Sequence, residues 1–218
     1  TDTGATELQN LFDAICTNET RFFREGQQFD YFEQEIIPRW LADQGRPKGV
    51  SVWSAACSSG EEPFSIAMVL QARLGESGWP VRVLATDLSM RVLQRAAAAE
   101  WPLSQAAQIP QRYLKRYMLR GRRSMEGVMK AGPEIRSIVE FARLNLNDSV
   151  YPMTGRFDVI FCRNVLIYFD AQGKRRVVDR LVRHLQPGGY LFLGAAESAT
   201  GWRSDLRSVR PSICRYEP

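Results

Sequence analysis

The chain has 218 residues, a net charge of +5, 44% hydrophobic and 24% charged residues, which fits one sizeable α/β domain with a small insert and excludes a disordered chain. No apolar run approaches the roughly 20 residues of a membrane-spanning helix, and the Thr-, Asp- and Glu-rich start lacks the basic and apolar blocks of a signal peptide, so a cytoplasmic setting is expected. Cys16, Cys57, Cys162 and Cys214 lie far apart and His184 is the single histidine, so reduced thiols and no metal site are expected.

Leu8, Leu11, Phe12 and Ile15 share one face of a short helix. Phe29, Phe32, Ile36 and Trp40 predict a second helix, which Pro38 should interrupt or restart. The rhythm then changes to strand and helix in alternation. Val50–Trp53 reads as a strand, followed by a small-residue turn through Ala55–Gly60 and a helix from Glu61 to about Leu74. Val81–Ala85 reads as a second strand that ends at Thr86-Asp87 before a helix over Met90–Ala98. Short apolar pieces around Gly121, Gly127 and Gly132-Pro133 suggest antiparallel hairpins, so 113–143 is expected to be an inserted β subdomain. Phe157–Cys162 resumes the alternation, and Val178, Leu181, Val182 and Leu185 define the next helix, stopped by Pro187-Gly188-Gly189. Tyr190–Leu193 and an edge strand at Ile213–Tyr216 complete the set. This alternation implies a mostly parallel, doubly wound sheet covered on both faces.

Ligands of such sheets bind at the carboxyl ends of the strands, and three of those ends carry suggestive residues. The turn Ser54-Ala55-Ala56-Cys57-Ser58-Ser59-Gly60-Glu61-Glu62-Pro63 admits close backbone approach but holds one glycine, a poor match to a dinucleotide fingerprint. Glu61 and Glu62 would repel a pyrophosphate and attract a cationic ligand, although first-turn glutamates also stabilise a helix on their own. Asp87 follows Gly60 by 27 residues and closes a strand; it can accept hydrogen bonds from ribose hydroxyls or cap the next helix. Arg163-Asn164 follow the third strand, where the planar guanidinium suits a substrate carboxylate; pairing with Asp158 or Asp170 is the plainer alternative.

Charge is concentrated in one stretch. Between Arg112 and Arg143 nine Lys/Arg face three Glu, a local +6. Such a field attracts an anionic partner, nucleic acid or acidic protein, or is only a solvated surface.

Taken together, Thr17-Asn18-Glu19-Thr20-Arg21-Phe22-Phe23-Arg24-Glu25, SAACSSGEEP at 54–63, ATDLS at 85–89, LNL at 144–146 and FCRNVLIYFD at 161–170 resemble the ordered signature set of the chemoreceptor glutamate O-methyltransferases, the CheR family. The resemblance spans about 17–217. It implies a class I methyltransferase sheet with a three-stranded antiparallel subdomain over 18–218, preceded at 1–17 by the remnant of a helical N-terminal domain. It also implies S-adenosylmethionine as cofactor, S-adenosylhomocysteine as product, and no metal. Asn18, Thr20 and Arg24 would fold over the cofactor, Glu61 and Asp87 would hold its amino-acid and ribose ends, and Asn145-Leu146 would flank the adenine. Arg163 and Asn164, with Tyr168, would line the methyl-transfer end, Arg163 and Tyr168 as the catalytic pair. The implied partner is the cytoplasmic helical region of chemoreceptors, with no nucleic acid and no membrane insertion, acting as a monomer. The loop Arg122–Glu126 departs from the family pattern.

A glutamate carboxylate is already ionised at pH 7, so in-line attack on the methyl needs no general base, and His184 is expected to be structural. Two rival readings stand beside this one. A nucleic-acid methyltransferase would use the basic insertion and stack bases on Tyr113 and Tyr117. A non-catalytic module would bind an adenosine ligand and dock receptors.

Overall fold

The computed structural model describes residues 19–218; the expected helix at Leu8–Ile15, and with it Asn18, lie outside the described residues. The second expected helix is present as α1 (Gly26–Tyr31) and α2 (Ile37–Ala42), joined by a π-helical turn at Phe32–Ile36. Pro38 sits in the first turn of α2, where its missing N–H is not needed. The widened turn just before it takes up the change in hydrogen bonding, so the helix continues through the proline.

Strand β1 (Val50–Ala55), helix α3 (Glu61–Leu74), strand β2 (Val81–Asp87) and helix α4 (Met90–Ala98) follow the expected alternation. Next come β3 (Glu100–Pro102), α5 (Gln111–Tyr117), β4 (Met118–Arg120), β5 (Val128–Ala131), α6 (Pro133–Arg136) and β6 (Val139–Arg143). The chain ends with β7 (Phe157–Cys162), α7 (Ala171–Arg183), β8 (Leu185–Leu193), β9 (Leu206–Arg210) and β10 (Ile213–Tyr216).

The main sheet has the order β6-β2-β1-β7-β8-β10-β9. Its first five strands are parallel, and β10 runs antiparallel to both neighbours. The chain winds outward from β1 through β2 to β6, then returns to lay β7 on the other side of β1. That reversal opens a crevice at the carboxyl ends of β1 and β7, where such sheets bind ligands. This strand order is that of class I methyltransferases, as expected.

The inserted subdomain is real, but its bounds differ from 113–143. Its antiparallel sheet, β3-β5-β4, recruits Glu100–Pro102 and ends at Ala131. Val139–Arg143 is instead an edge strand of the main sheet, with Val83 opposite Val139 and Asp87 opposite Arg143. Gly132-Pro133 opens a helical turn and not a hairpin, because proline suits the first turn of a helix. Tyr113 and Tyr117 belong to a helix, both about 2% exposed. Trp101 fastens the insert to the main body: its ring lies edge-on to Phe22 and Phe64, and its Nε1–H donates to the Ser59 carbonyl at 3.3 Å.

Two further boundaries shift. Helix α7 ends at Arg183, so Leu185 opens β8 opposite Phe157, and Pro187-Gly188-Gly189 form an irregularity before pairing resumes at Tyr190. The short strand β9 takes the edge, which leaves β10 inside the sheet. His184 is structural as expected, packed against Tyr151 and Trp53 with ring centroids 6.0 Å away. No helix among the described residues is long and apolar enough to cross a membrane.

The N-terminal helices are seated on the sheet by aromatic packing. Phe161 of β7 stacks on Phe192 at 4.5 Å and meets Phe29 at 5.9 Å and Phe32 at 5.7 Å. Truncating such a ring in a close-packed core leaves a cavity as well as losing apolar burial. Phe161→Ala should therefore cost about 3–5 kcal/mol, read as a lower denaturation midpoint with an unchanged urea slope. A loss under about 1 kcal/mol would show that the helices do not depend on this cluster.

Candidate active site

A cavity of about 350 Å³ opens at the crevice between β1 and β7, within the size range of small-molecule sites. Its walls come from the segment 19–24, the turn 56–58, Glu62, Asp87, the 144–147 segment and residues 163–169. Thr20, Arg24, Asp87, Asn145, Leu146, Arg163, Asn164 and Tyr168 are all among them, so the sites expected at three separate strand ends converge. Glu61 is the exception.

The turn after β1 is shaped by unusual backbone angles. Ala56 and Ser58 have φ of 64° and 49°, and Gly60 has φ of 98°. A Cβ on Gly60 would also stand 3.0 Å from the Ala96 Cβ of α4, so both conformation and crowding demand glycine there. The turn is tied to β2, for Cys57 N–H donates to the Thr86 carbonyl and Ser58 N–H donates to Asp87 Oδ2, each at 2.9 Å. Asp87 Oδ1 accepts from Ser89 N–H at 3.0 Å. The helix cap considered for Asp87 is made by Ser89, whose hydroxyl accepts from Val92 N–H. Asp87 is thereby held at the cavity wall with both oxygens oriented.

Successive residues of a helix point about 100° apart, so Glu61 and Glu62 cannot both face the cavity. Glu62 lines it. Its Oε1 accepts from the Ser54 hydroxyl at 2.7 Å, and its Oε2 lies 3.1 Å from Arg163 Nε. Glu61 is 2% exposed and turned to the Ser59 hydroxyl, 2.8 Å away. Burial raises the pKa of both carboxyls; for Glu62 the Arg163 charge opposes that rise, and for Glu61 the Ser59 hydrogen bond does.

Arg163 is placed differently from a substrate clamp. Its side chain is 1% exposed, Nη1 donates to Gln28 Oε1 at 3.3 Å, and Nη2 donates to the Arg24 carbonyl at 2.6 Å. Its guanidinium also lies 5.4 Å from the Phe29 ring centre. The alternative partners are engaged elsewhere: Asp158 pairs with Arg46, and Asp170 caps α7 through Gly173 N–H. Arg163 thus binds the floor of the cavity to the segment that covers it.

Asn164 has φ of 57°, and its N–H donates to Glu197 Oε2 at 3.0 Å. Glu197, 7% exposed, also accepts from Gly194 and Ile167 N–H at 2.7 and 3.2 Å. Glu25 accepts from both Asn164 Nδ2 and Ala195 N–H. Neither glutamate was assigned a role from the sequence. Glu197 stands three residues beyond Gly194, at a fourth strand end, and that position was its signal. Asn145 makes a local turn, its Oδ1 accepting from Asn147 N–H, while Leu146 is buried at 7%. Tyr168 stands at the mouth, 58% exposed.

Cys57 also lines the cavity, and burial, reinforced by the Asp87 and Glu62 charges, pushes its thiol pKa well up. Cys57, Cys162 and Cys214 are all buried free thiols. No cluster of metal-ligating side chains occurs among the described residues.

The family described as CheR methyltransferase, SAM binding domain, matches residues 18–212. Chemotaxis protein methyltransferase 1 of Pseudomonas aeruginosa is 43% identical over 208 residues, covering 93% of this chain and 74% of that protein. The chemotaxis protein methyltransferase of Escherichia coli is 38% identical over 194 residues, covering 88% of this chain and 65% of that protein. Among solved structures, the CMeT domain of the citrinin polyketide synthase superposes with a TM-score of 0.47 at 18% identity, over 81% of this chain and 36% of that one. That superposition is loose, and the fold assignment stands on strand order. The family match and the identity of these relatives, over a chain that carries every quoted motif, lead to one conclusion: the chain belongs to the CheR family and is an S-adenosylmethionine-dependent methyltransferase of chemotaxis.

Proposed function

We propose that this chain transfers a methyl group to glutamate side chains in the cytoplasmic helical region of chemoreceptors, giving methyl esters. The observation that carries the proposal is the cavity itself, which joins an oriented Asp87, a half-buried Glu62 carboxylate and an apolar wall at Leu144 and Leu146. Those acceptors and that wall fit S-adenosylmethionine, with its ribose hydroxyls between a cationic amino-acid end and an adenine that would lie against the apolar wall. When bound, the cofactor supplies an electrophilic methyl on a positively charged sulfur.

In this reading Asp87 accepts from the ribose hydroxyls while the backbone of Ser58 and Ser89 holds it in place. Glu62, not Glu61, faces the cationic end. Asn145 and Leu146 flank the base, and Thr20 and Arg24 cover the site. Arg163 is a positioning residue, fixing Glu62 and the 24–28 segment, and Asn164 holds the loop that presents Tyr168. Tyr168, exposed at the mouth, would meet the incoming carboxylate. That carboxylate arrives ionised, so the protein's contribution is alignment and exclusion of water, and no side chain must take a proton.

The nucleic-acid reading loses its support here. Tyr113 and Tyr117 are buried in the core and offer no face to a base. The exposed Arg122 and Arg123, at the turn between β4 and β5, are proposed to meet the acidic surface of the substrate protein.

The deciding experiment is transfer of labelled methyl from S-adenosylmethionine to a receptor cytoplasmic fragment, with RNA in parallel. Label on the fragment that is released as methanol in mild alkali supports a glutamate ester; alkali-stable label, or label on RNA, overturns it.

Site geometry adds three expectations. Asp87→Ala should weaken S-adenosylhomocysteine binding by about 10- to 100-fold, the equivalent of roughly 1.5–3 kcal/mol for hydrogen bonds to a charged group, measured by calorimetry on a folded variant.

The two glutamates should separate cleanly. The folded-state pKa of Glu61 is raised above its ordinary 4.5 by burial, so its contribution is present below that pH and is lost as pH rises through the raised value. Glu61→Gln removes this loss. Its melting temperature should exceed the parent's at pH 7, the gap closing as pH falls through the raised value toward 4.5, with ligand affinity unchanged. Glu62→Gln should instead weaken S-adenosylhomocysteine, and the opposite pattern would return the ligand role to Glu61.

Tyr168→Phe deletes one hydroxyl at the mouth. Single-turnover methyl transfer should fall about tenfold or more, roughly 1.4 kcal/mol, while cofactor affinity stays within about twofold. A normal rate would remove Tyr168 from the chemistry.

A further inference from the structure

A second cleft, of about 580 Å³, lies at the other end of the sheet. Its walls are the loop Arg46–Ser51 leading into β1, Pro80–Arg82 at the start of β2, Arg156 and Asp158 at the start of β7, and Gln186-Pro187. These are the amino ends of the same strands whose carboxyl ends form the active site. Strands of six or seven residues at about 3.3 Å per residue put roughly 20 Å between the two.

The charge of this cleft is lopsided. Arg46, Lys48, Arg82 and Arg156 line it, against the single carboxylate of Asp158. That carboxylate is already engaged by Arg46 and by Ser51 N–H at 2.8 Å. Lys48, Arg82 and Arg156 are exposed and form no ion pair among the described residues. Arg156 donates to the Leu185 carbonyl, and Arg82 lies 6.0 Å from the Phe157 ring. Three like charges from three separate segments of the chain gather here and repel one another, with no carboxylate paired to them among the described residues.

Beneath this rim two polar atoms are buried without a partner, Arg46 Nε and Ser51 Oγ. Arg46 is held from both sides, by Asp158 and by the Trp40 ring 4.6 Å away, so its unused N–H is fixed in place. A buried donor left without an acceptor is destabilising. Both residues line the cleft, so an anion seated there would bring acceptor oxygens to this polar floor.

We propose that this cleft binds a small anion carrying two or more phosphate groups. Two such groups, each bearing about −1.5 to −2 charge near neutral pH, match the rim's excess of three positive charges. Arginine forks and a lysine suit phosphate oxygens, and the volume leaves room for an organic portion. The shared chemistry admits inorganic pyrophosphate or the polyphosphate chain of a nucleotide. This inference does not depend on the identity of the methyl acceptor.

The test is calorimetry on the full chain with inorganic pyrophosphate and, separately, with ATP, with and without saturating S-adenosylhomocysteine to occupy the methyl-transfer cavity. Pyrophosphate should bind one site, unaffected by S-adenosylhomocysteine and weakening as salt is raised. The double variant Lys48→Glu/Arg82→Glu, both side chains exposed, should lose at least about tenfold in affinity with an unchanged melt and unchanged S-adenosylhomocysteine binding. Equal affinity for ATP and pyrophosphate means that phosphate alone is read; tighter ATP means a nucleotide is the natural source. Arg46→Lys keeps the charge but removes the buried Nε–H, and it should also bind more weakly. The proposal is overturned by absent binding at millimolar pyrophosphate in low salt. Competition between pyrophosphate and S-adenosylhomocysteine, or full affinity in the double variant, would overturn it equally.

Discussion

The Arg163 guanidinium is buried where four parts of the chain meet. It extends from the end of β7, lies against Glu62 of α3, reaches Gln28 of α1 and donates to the backbone of Arg24. Gln28 carries the link onward, its Nε2 donating to the Leu193 carbonyl at the end of β8. A buried cation without its partners is strongly unfavourable, so these elements are held to a common arrangement. The same contacts set the active-site floor, aim the Glu62 carboxylate and pin the segment that roofs the cavity. Loss of one partner would leave a buried charge uncompensated, so the cavity and the local fold are maintained by one network.

Around that network two carboxylates, Glu25 just before α1 and Glu197 just after β8, hold the loop that follows β7. Glu197 and Glu25 accept backbone and side-chain N–H groups from Asn164, Ile167, Gly194 and Ala195. Asn164 adopts a left-handed conformation, and a Cβ on Gly194 would stand 2.6 Å from Asn164 Nδ2. A tight, internally bonded loop of this kind keeps Tyr168 at the rim even though its side chain is exposed. Precision at the mouth comes from anchoring behind it.

Much of this was legible from residue patterns. Period-two and period-3.6 runs located β1, β2, β7 and their helices, because those elements bury continuous apolar faces. Motifs at strand ends converged because a parallel sheet brings carboxyl ends together. Three things were hidden. Val139–Arg143 reads like hairpin material, since an edge strand is half exposed and its partner, β2, lies more than fifty residues earlier. Which of Glu61 and Glu62 faces the cavity depends on how α3 is rotated against the sheet, a tertiary fact. The inward engagement of Arg163 depends on Gln28 and Arg24, which lie 135 and 139 residues away in the chain. A residue type announces what chemistry it can do, but its partners decide which it does.

Cys57 lines a cavity suited to an electrophilic methyl donor, and a thiolate there would be the stronger nucleophile than any carboxylate. Burial beside the Asp87 and Glu62 charges keeps it in the thiol form, poorly reactive toward sulfonium. In the proposed reaction, by contrast, the acceptor carboxylate would enter from solvent past the exposed Tyr168 with its charge intact. Desolvation therefore guards this sulfur against alkylation, because water and positive charge that would stabilise a thiolate are withheld from it. Relieving that desolvation, for example by opening a water path to residue 57, would turn a silent cavity wall into a suicide site.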